Sequence, residues 1–192
     1  MLRIFVGGVL GAVVLFVWGM FSWMALSWHD ATMAELPNAA QTVPLMRQAI
    51  TQPGAYYYPP MPADNSPEAM DEHRRQHAEG PFLFMVYQPA PGEPMPPAMF
   101  AFGFLLNVAA ALMAGIVLRL THGTVKSYAG RVGVVTLLGL FVAVVADAAL
   151  WNWMHYPADY SLVMMGDHVV GWLLVGLTMG AVVRPSASQK RG

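Results

Sequence analysis

Asp167 and His168 stand side by side inside an otherwise apolar run, residues 162–183, and Asp147 stands alone in another, residues 132–153. A carboxylate beside an imidazole can pass a proton, hold a cation, or bind the polar head of an amphiphile. In apolar surroundings each such group is costly, a few kcal/mol by roughly the most lenient scale. It therefore turns inward and finds a partner. Two further apolar runs, residues 4–28 and 98–118, hold no ionisable side chain but offer Ser22 and Asn107. Counted from the run ends, Ser22, Asn107, Asp147, Asp167 and His168 fall at similar heights, so the spacing predicts one polar layer. The simplest pairing joins Asp147 to His168. Asp167 points about 100° away from His168 along a helix, so both cannot face the same neighbour squarely, and one of them looks instead toward the covering segment or the lipid headgroups.

Such a layer has a structural reading and functional ones. Interhelical hydrogen bonds worth roughly 0.6–2 kcal/mol would fix helix register. The functional readings are proton transfer, ion passage or a bound headgroup. A further one is a haem or divalent metal, with His29, His155 and His168 as axial candidates. No cofactor is expected as the leading case.

A second constellation is EHRRQH, residues 72–77. His73 and His77 are four apart and share one face of a helix, which suits a divalent metal. The zinc-protease pattern needs glutamate directly after the first histidine, where this chain has Arg74. A solvated charged helix is the expected outcome, with His73 and His77 as weak metal candidates. Methionines number 15, and core filling is their default. Met61, Met70, Met85 and Met95 are the ones a copper site would use. With no cysteine there is no thiolate ligand, disulfide or thiol nucleophile. There is no phosphate-binding glycine loop.

The elements that position these residues follow from composition. Of the 192 residues 56% are hydrophobic and 11% charged, against about 25% charged in a soluble domain. The four apolar runs are each long enough to cross roughly 30 Å of hydrocarbon. The expected fold is an all-α integral membrane protein, a four-transmembrane-helix bundle of two hairpins with a small α+β extracytoplasmic insertion between helices 1 and 2. Its expected segments are a first helix at 4–28, an outer cap at 29–97 and a second helix at 98–118. A cytoplasmic loop at 119–131, a third helix at 132–153, an outer loop at 154–161, a fourth helix at 162–183 and a tail at 184–192 complete it. A secretory signal is the alternative for the first run, but its apolar core would be about 7–15 residues and this one is longer.

The formal charge of −1 conceals an asymmetry. With the N-terminus inside, Arg3, Arg119, Lys126, Arg131, Arg184, Lys190 and Arg191 fall on the cytoplasmic side with no Asp or Glu among them. The other side receives nine carboxylates against Arg47, Arg74 and Arg75. Basic residues near membrane ends stay in the cytoplasm, so both termini are expected inside a bacterial-type inner membrane. Topology accounts for the basic residues, and no nucleic-acid partner is expected. Trp23, Trp28 and His29 at one outer boundary, and Trp151, Trp153 and His155 at the other, read as interface anchors and as ends of two related hairpins.

Within the insertion, residues 42–50 and 67–78 read as short helices, 54–62 as extended or turn-like, and 82–88 as a strand. Gly7-x3-Gly11, Ala111-x3-Gly115, Gly139-x3-Ala143 and Gly176-x3-Gly180 are small-residue faces suited to close packing or self-association. The expected partners are the bilayer and other membrane subunits or further copies. The expected function is that of a noncatalytic accessory or assembly subunit, or an outer-face sensor. The alternatives are a small transporter or channel component, a lipid- or quinone-linked membrane enzyme, and a haem-binding redox subunit.

Overall fold

The computed structural model describes residues 1–184. Lys190 and Arg191, expected in the tail, lie outside the described residues. In chain order the elements are α1 (Leu2–Met24), α2 (Ala39–Ala49), β1 (Gly54–Tyr58), α3 (Pro67–Glu79), β2 (Leu83–Tyr87), α4 (Pro97–Leu120), α5 (Tyr128–Met154) and α6 (Ala158–Val182). The chain divides into two compact units, one of residues 1–34 and 95 onward, the other of Glu35–Pro94.

The first unit holds four helices long and apolar enough to cross a membrane: α1, α4, α5 and α6. Proline at the start of α4 supplies a preset φ where the missing N–H costs nothing. Ser127 caps α5 by accepting from the Gly130 N–H at 3.0 Å. That cap starts α5 at Tyr128, so Arg131 is not in the loop expected over 119–131 but in the first turns of the helix. There its guanidinium is buried, and Nε donates to the Gly180 carbonyl at 2.9 Å. Gly180 lies in the last turn of α6, where carbonyls lack helical partners, so the arginine closes that end.

Helix α1 packs against α4 and α6, and α6 packs against α5, while α4 and α5 barely touch. Small residues set these crossings, and the faces noted in the sequence turn toward neighbours within the unit. A Cβ at Gly176 would stand 3.0 Å from the Val132 carbonyl oxygen, so the backbones of α5 and α6 approach closely. Gly11 similarly admits Met179, and Gly115 admits Ile4. Around these contacts Ala12, Ala111, Leu118, Val135, Val175 and Met179 form a fully enclosed apolar core. It fills the half of the unit nearest Arg3, Arg119 and Arg184, called here the arginine end. The opposite, tryptophan end carries the polar side chains.

In the second unit β1 and β2 pair antiparallel from Gly54↔Tyr87 to Tyr58↔Leu83, joined through α3. The segment expected to be merely extended thus supplies the partner strand. Ser66 caps α3 by accepting from Ala69, and Pro67 opens it. Arg75 bridges Glu72 and Glu79, and Arg74 bonds Asp71, so the charges of EHRRQH are matched along one exposed helix. The Arg75 guanidinium, then Gln76, hold the Glu72 carboxyl below the usual carboxylate range. Ser66, through its hydroxyl and its backbone N–H, does the same for Asp64.

Two predictions follow from these contacts. A Cβ at Gly139 would overlap Trp172 of α6, whereas at Gly133 it would meet nothing within 4 Å. Gly139→Ala should therefore cost about 1–3 kcal/mol and Gly133→Ala little or nothing, read as thermal unfolding in detergent. Because Asp64 and Glu72 are lowered in the folded state, their support for α3 is complete above the ordinary carboxylate value, about pH 4. It is lost as pH falls through the lowered values. Amide exchange of residues 68–79, normalised to intrinsic rates, should stay protected down to that point and lose protection below it.

Candidate functional site

The tryptophan end is organised by a single hydroxyl. Helix α1 stops at Met24, four residues short of the expected boundary, and the chain turns back through a 3-10 turn at Asp30–Thr32. In a continued helix His29 would stand about 10 Å beyond Ser22 along the axis. Here its Nε2 lies 3.0 Å from Ser22 Oγ. His29 is therefore folded back against α1 rather than carried past its end. It is 1% exposed, stacked on Trp23 at 3.9 Å between ring centroids, with Trp28 edge-on.

Ser22 is itself wholly buried. Its hydroxyl donates to Asp167 Oδ1 at 2.5 Å and accepts from Trp28 Nε1 at 3.1 Å. One proton and two lone pairs are all a hydroxyl has. With the proton given to Asp167, the remaining lone pair takes the His29 Nε2–H, which assigns that tautomer from the network. The second ring nitrogen, Nδ1, is buried without a partner. Trp18, one turn before Ser22 on the same face of α1, donates Nε1 to the Asp167 carbonyl at 3.2 Å. Gly171 makes room for that indole, since a Cβ there would stand 2.9 Å from Trp18.

Ser, His and Asp together raise the question of nucleophilic catalysis. The geometry argues against it. In such a triad the carboxylate orients the imidazole through its far nitrogen. Here the carboxylate bonds the hydroxyl, the far nitrogen is bare, and the serine is sealed from any substrate. The cluster ties α1 to α6.

The second pair is different. Asp147 Oδ2 and His168 Nδ1 are 2.7 Å apart, joining α5 to α6. Asp147 is nearly buried, whereas the His168 side chain is 32% exposed. Asp147 lies within a π-helical segment, Ala143–Ala148, inside α5. The wider turn changes which face its side chain occupies, a device common at functional sites. A carboxylate accepting Nδ1–H holds the ring in one orientation and leaves Nε2 as the lone-pair nitrogen.

His168 lines a cavity of about 640 Å³ at the tryptophan end, walled mainly by α1 and α4, with Asp167, His168 and Trp172 of α6 and Val142 of α5. Asn107 of α4 and Asp167 also reach its wall, and the rest is mostly aromatic and methionine surface, including Phe16, Trp18, Trp23 and Phe100. Asp167 thus faces α1 and the cavity rather than a covering segment or headgroups. An apolar hollow of this size with a few convergent polar groups suits the head or ring of an amphiphile.

Of the anchors, Trp151 and Trp153 are exposed on the last turn of α5, and His155 follows that turn with a left-handed φ of 55°. His73 and His77 have ring centroids 6.2 Å apart on α3, and His73 Nδ1 donates to the Pro60 carbonyl at 2.9 Å. Among the described residues no three His, Asp or Glu side chains gather as a metal set. Sequence reasoning missed Trp18, whose four-residue spacing from Ser22 was the available signal, and it missed the π segment. Comparison of the chain with protein-family models, with curated proteins and with solved structures gives no match.

The Ser22 network generates a stability prediction. Ser22→Ala leaves Asp167 without its donor and Trp28 Nε1 and His29 Nε2 without their acceptor, and the cost should be about 1–3 kcal/mol or more. Thermal unfolding in detergent would measure it. An unchanged midpoint would mean the network contributes nothing.

Proposed function

We propose that the chain is a multi-pass inner-membrane protein with both termini in the cytoplasm and residues 25–96 outside, acting as an outer-face sensor or accessory subunit. Its ligand is an amphiphile whose polar head enters the cavity walled by α1, α4 and α6. The observation that carries this reading is the cavity itself: mostly apolar walls with His168 and Asn107 among them. Four apolar helices, and the basic residues without Asp or Glu at one set of helix ends, support the orientation. The exposed Trp151 and Trp153 fit the aromatic belt of the outer boundary. In a bilayer the cavity would open sideways into the outer leaflet, where a lipid or a quinone-like ring could enter without leaving hydrocarbon.

A second reading draws on the Asp147–His168 pair. His168 Nε2 is placed to accept a proton from a hydroxyl held in the cavity, the first step a lipid- or quinone-linked enzyme would need. A transporter reading has less support, because the polar groups collect at one end and the enclosed apolar core fills the other.

The test is purification from native membranes in mild detergent, followed by mass spectrometry of bound lipids and a visible spectrum for haem or quinone. A specific amphiphile should accompany the wild-type protein. Its occupancy should fall about tenfold in His168→Gln or Asn107→Leu, the loss of a hydrogen bond worth about 1.4 kcal/mol. Equal occupancy in wild type and both variants would remove the support for a cavity ligand.

A further inference from the structure

The arginine end carries a second concave site that the cavity reading does not use. A cleft of about 290 Å³ is lined by Arg3, Ile4, Arg119, His122, Val183 and Arg184, drawn from α1, α4 and the end of α6. Arg3 gives Nη1 to the Arg184 carbonyl at 3.0 Å, which draws the first and last turns together. Arg119, from the end of α4, and His122 line the same cleft. The His122 ring donates to the Val183 carbonyl, while Nε2 is buried with no partner.

No carboxylate balances this charge. Among the described residues, 94–146 and 168–184 contain no Asp or Glu, and neither do residues 1–29. The carboxylates of the long helices, Asp147, Asp159 and Asp167, belong to the other end. Burial lowers the proton affinity of His122, against the hydrogen bond to Val183, and the positive charges of Arg119 and Arg131 lower it further. An anion in the cleft would relieve that field.

We propose that this cleft binds the phosphate of an anionic headgroup. Guanidinium groups present paired N–H donors that match phosphate oxygens, and several converging on a small hollow select phosphate over a lone carboxylate. Leu2, Phe5, Ile116 and Leu120 are exposed on α1 and α4, the helices that line the cleft. Apolar surface on the same helices as a cationic hollow is the pattern for a phospholipid, with its chains along the helices and its phosphate among the arginines. Free phosphate shares the headgroup chemistry without that apolar contact. The proposal shares with the preceding section only the membrane orientation, not the cavity or its ligand.

The experiment places the full-length protein in phosphatidylcholine nanodiscs containing a minor fraction of phosphatidylglycerol, with lipid retention read by native mass spectrometry. A parallel titration adds inorganic phosphate to the detergent-solubilised protein. Arg119→Gln and Arg184→Gln each remove one cleft guanidinium. Lys126→Gln removes the same charge from the same end but outside the cleft. Phosphatidylglycerol should be retained over phosphatidylcholine, with retention falling about tenfold in each cleft variant and less than twofold in Lys126→Gln. Saturable phosphate binding that is lost in the cleft variants, without lipid preference, would support the same site with free phosphate as its source. Equal loss in all three variants would reduce the effect to bulk charge and overturn the site, as would no preference among lipids together with no phosphate binding. Release of the wild-type protein from membranes by alkaline carbonate would instead sink the membrane-spanning reading, and the phosphate titration would still read the cleft.

Discussion

A carboxylate enclosed among apolar helices must be given hydrogen-bond donors, and where those donors stand decides how the helices meet. Asp167 takes the Ser22 hydroxyl and Asp147 takes the His168 imidazole. The first bond joins α1 to α6, the second α5 to α6, so α6 becomes the common partner through two adjacent residues facing different neighbours. A donor removed from either bond leaves a buried acceptor whose desolvation is uncompensated, which is why such pairs specify packing more than their net strength implies. Apolar surface alone would allow the helices many rotations. Two bonded pairs about 100° apart on one helix fix its rotation against both neighbours.

Close packing then takes over where polar groups end. A Cβ at Gly115 or Gly139 would overlap a neighbouring side chain, and at Gly11 or Gly176 it would crowd the neighbouring helix at about 3 Å. The bundle is consequently tight at the arginine end. At the tryptophan end the cavity is walled by bulky side chains of α1 and α4, Phe16, Trp18, Trp23 and Phe100 among them. Its position follows from the distribution of small and large residues, and its polarity from the donors that the carboxylates needed. One arrangement of side chains thus serves both helix register and a hollow able to receive a polar head.

Much of this was legible in the chain, for a reason that also marks the limit. An isolated ionisable group in an apolar helix has few partners to choose from, so the pairing of Asp147 with His168 could be read from height alone. The four helices followed from run length, and the arginine asymmetry from counting. What the sequence concealed depends on tertiary competition. The apolar run continues to Trp28 without a breaker, yet the helix ends at Met24 because Trp28 and His29 find a better acceptor in Ser22 than a further turn provides. Arg131 looked like a loop residue since charge suggests solvent, but the orphan carbonyl of Gly180 offered it a buried partner. The π turn around Asp147 has no composition signature. It arises where a side chain must reach a fixed partner.

The two histidines beside carboxylates show how similar residues come to different chemistry. His29 is stacked, enclosed and bound through Nε2 to a saturated hydroxyl, so neither nitrogen reaches a space where a ligand could sit. His168 is bound through Nδ1, which leaves Nε2 as the acceptor on a ring that borders a cavity. Its partner Asp147 is nearly dry, and a carboxylate in that setting orients an imidazole firmly. The difference lies in which ring nitrogen is committed and in whether the other one has somewhere to point. Among the residues of the polar layer, His168 alone combines a fixed orientation, an uncommitted nitrogen and an accessible wall. On the proposed reading, an occupant of the cavity meets His168 as the oriented group on its wall.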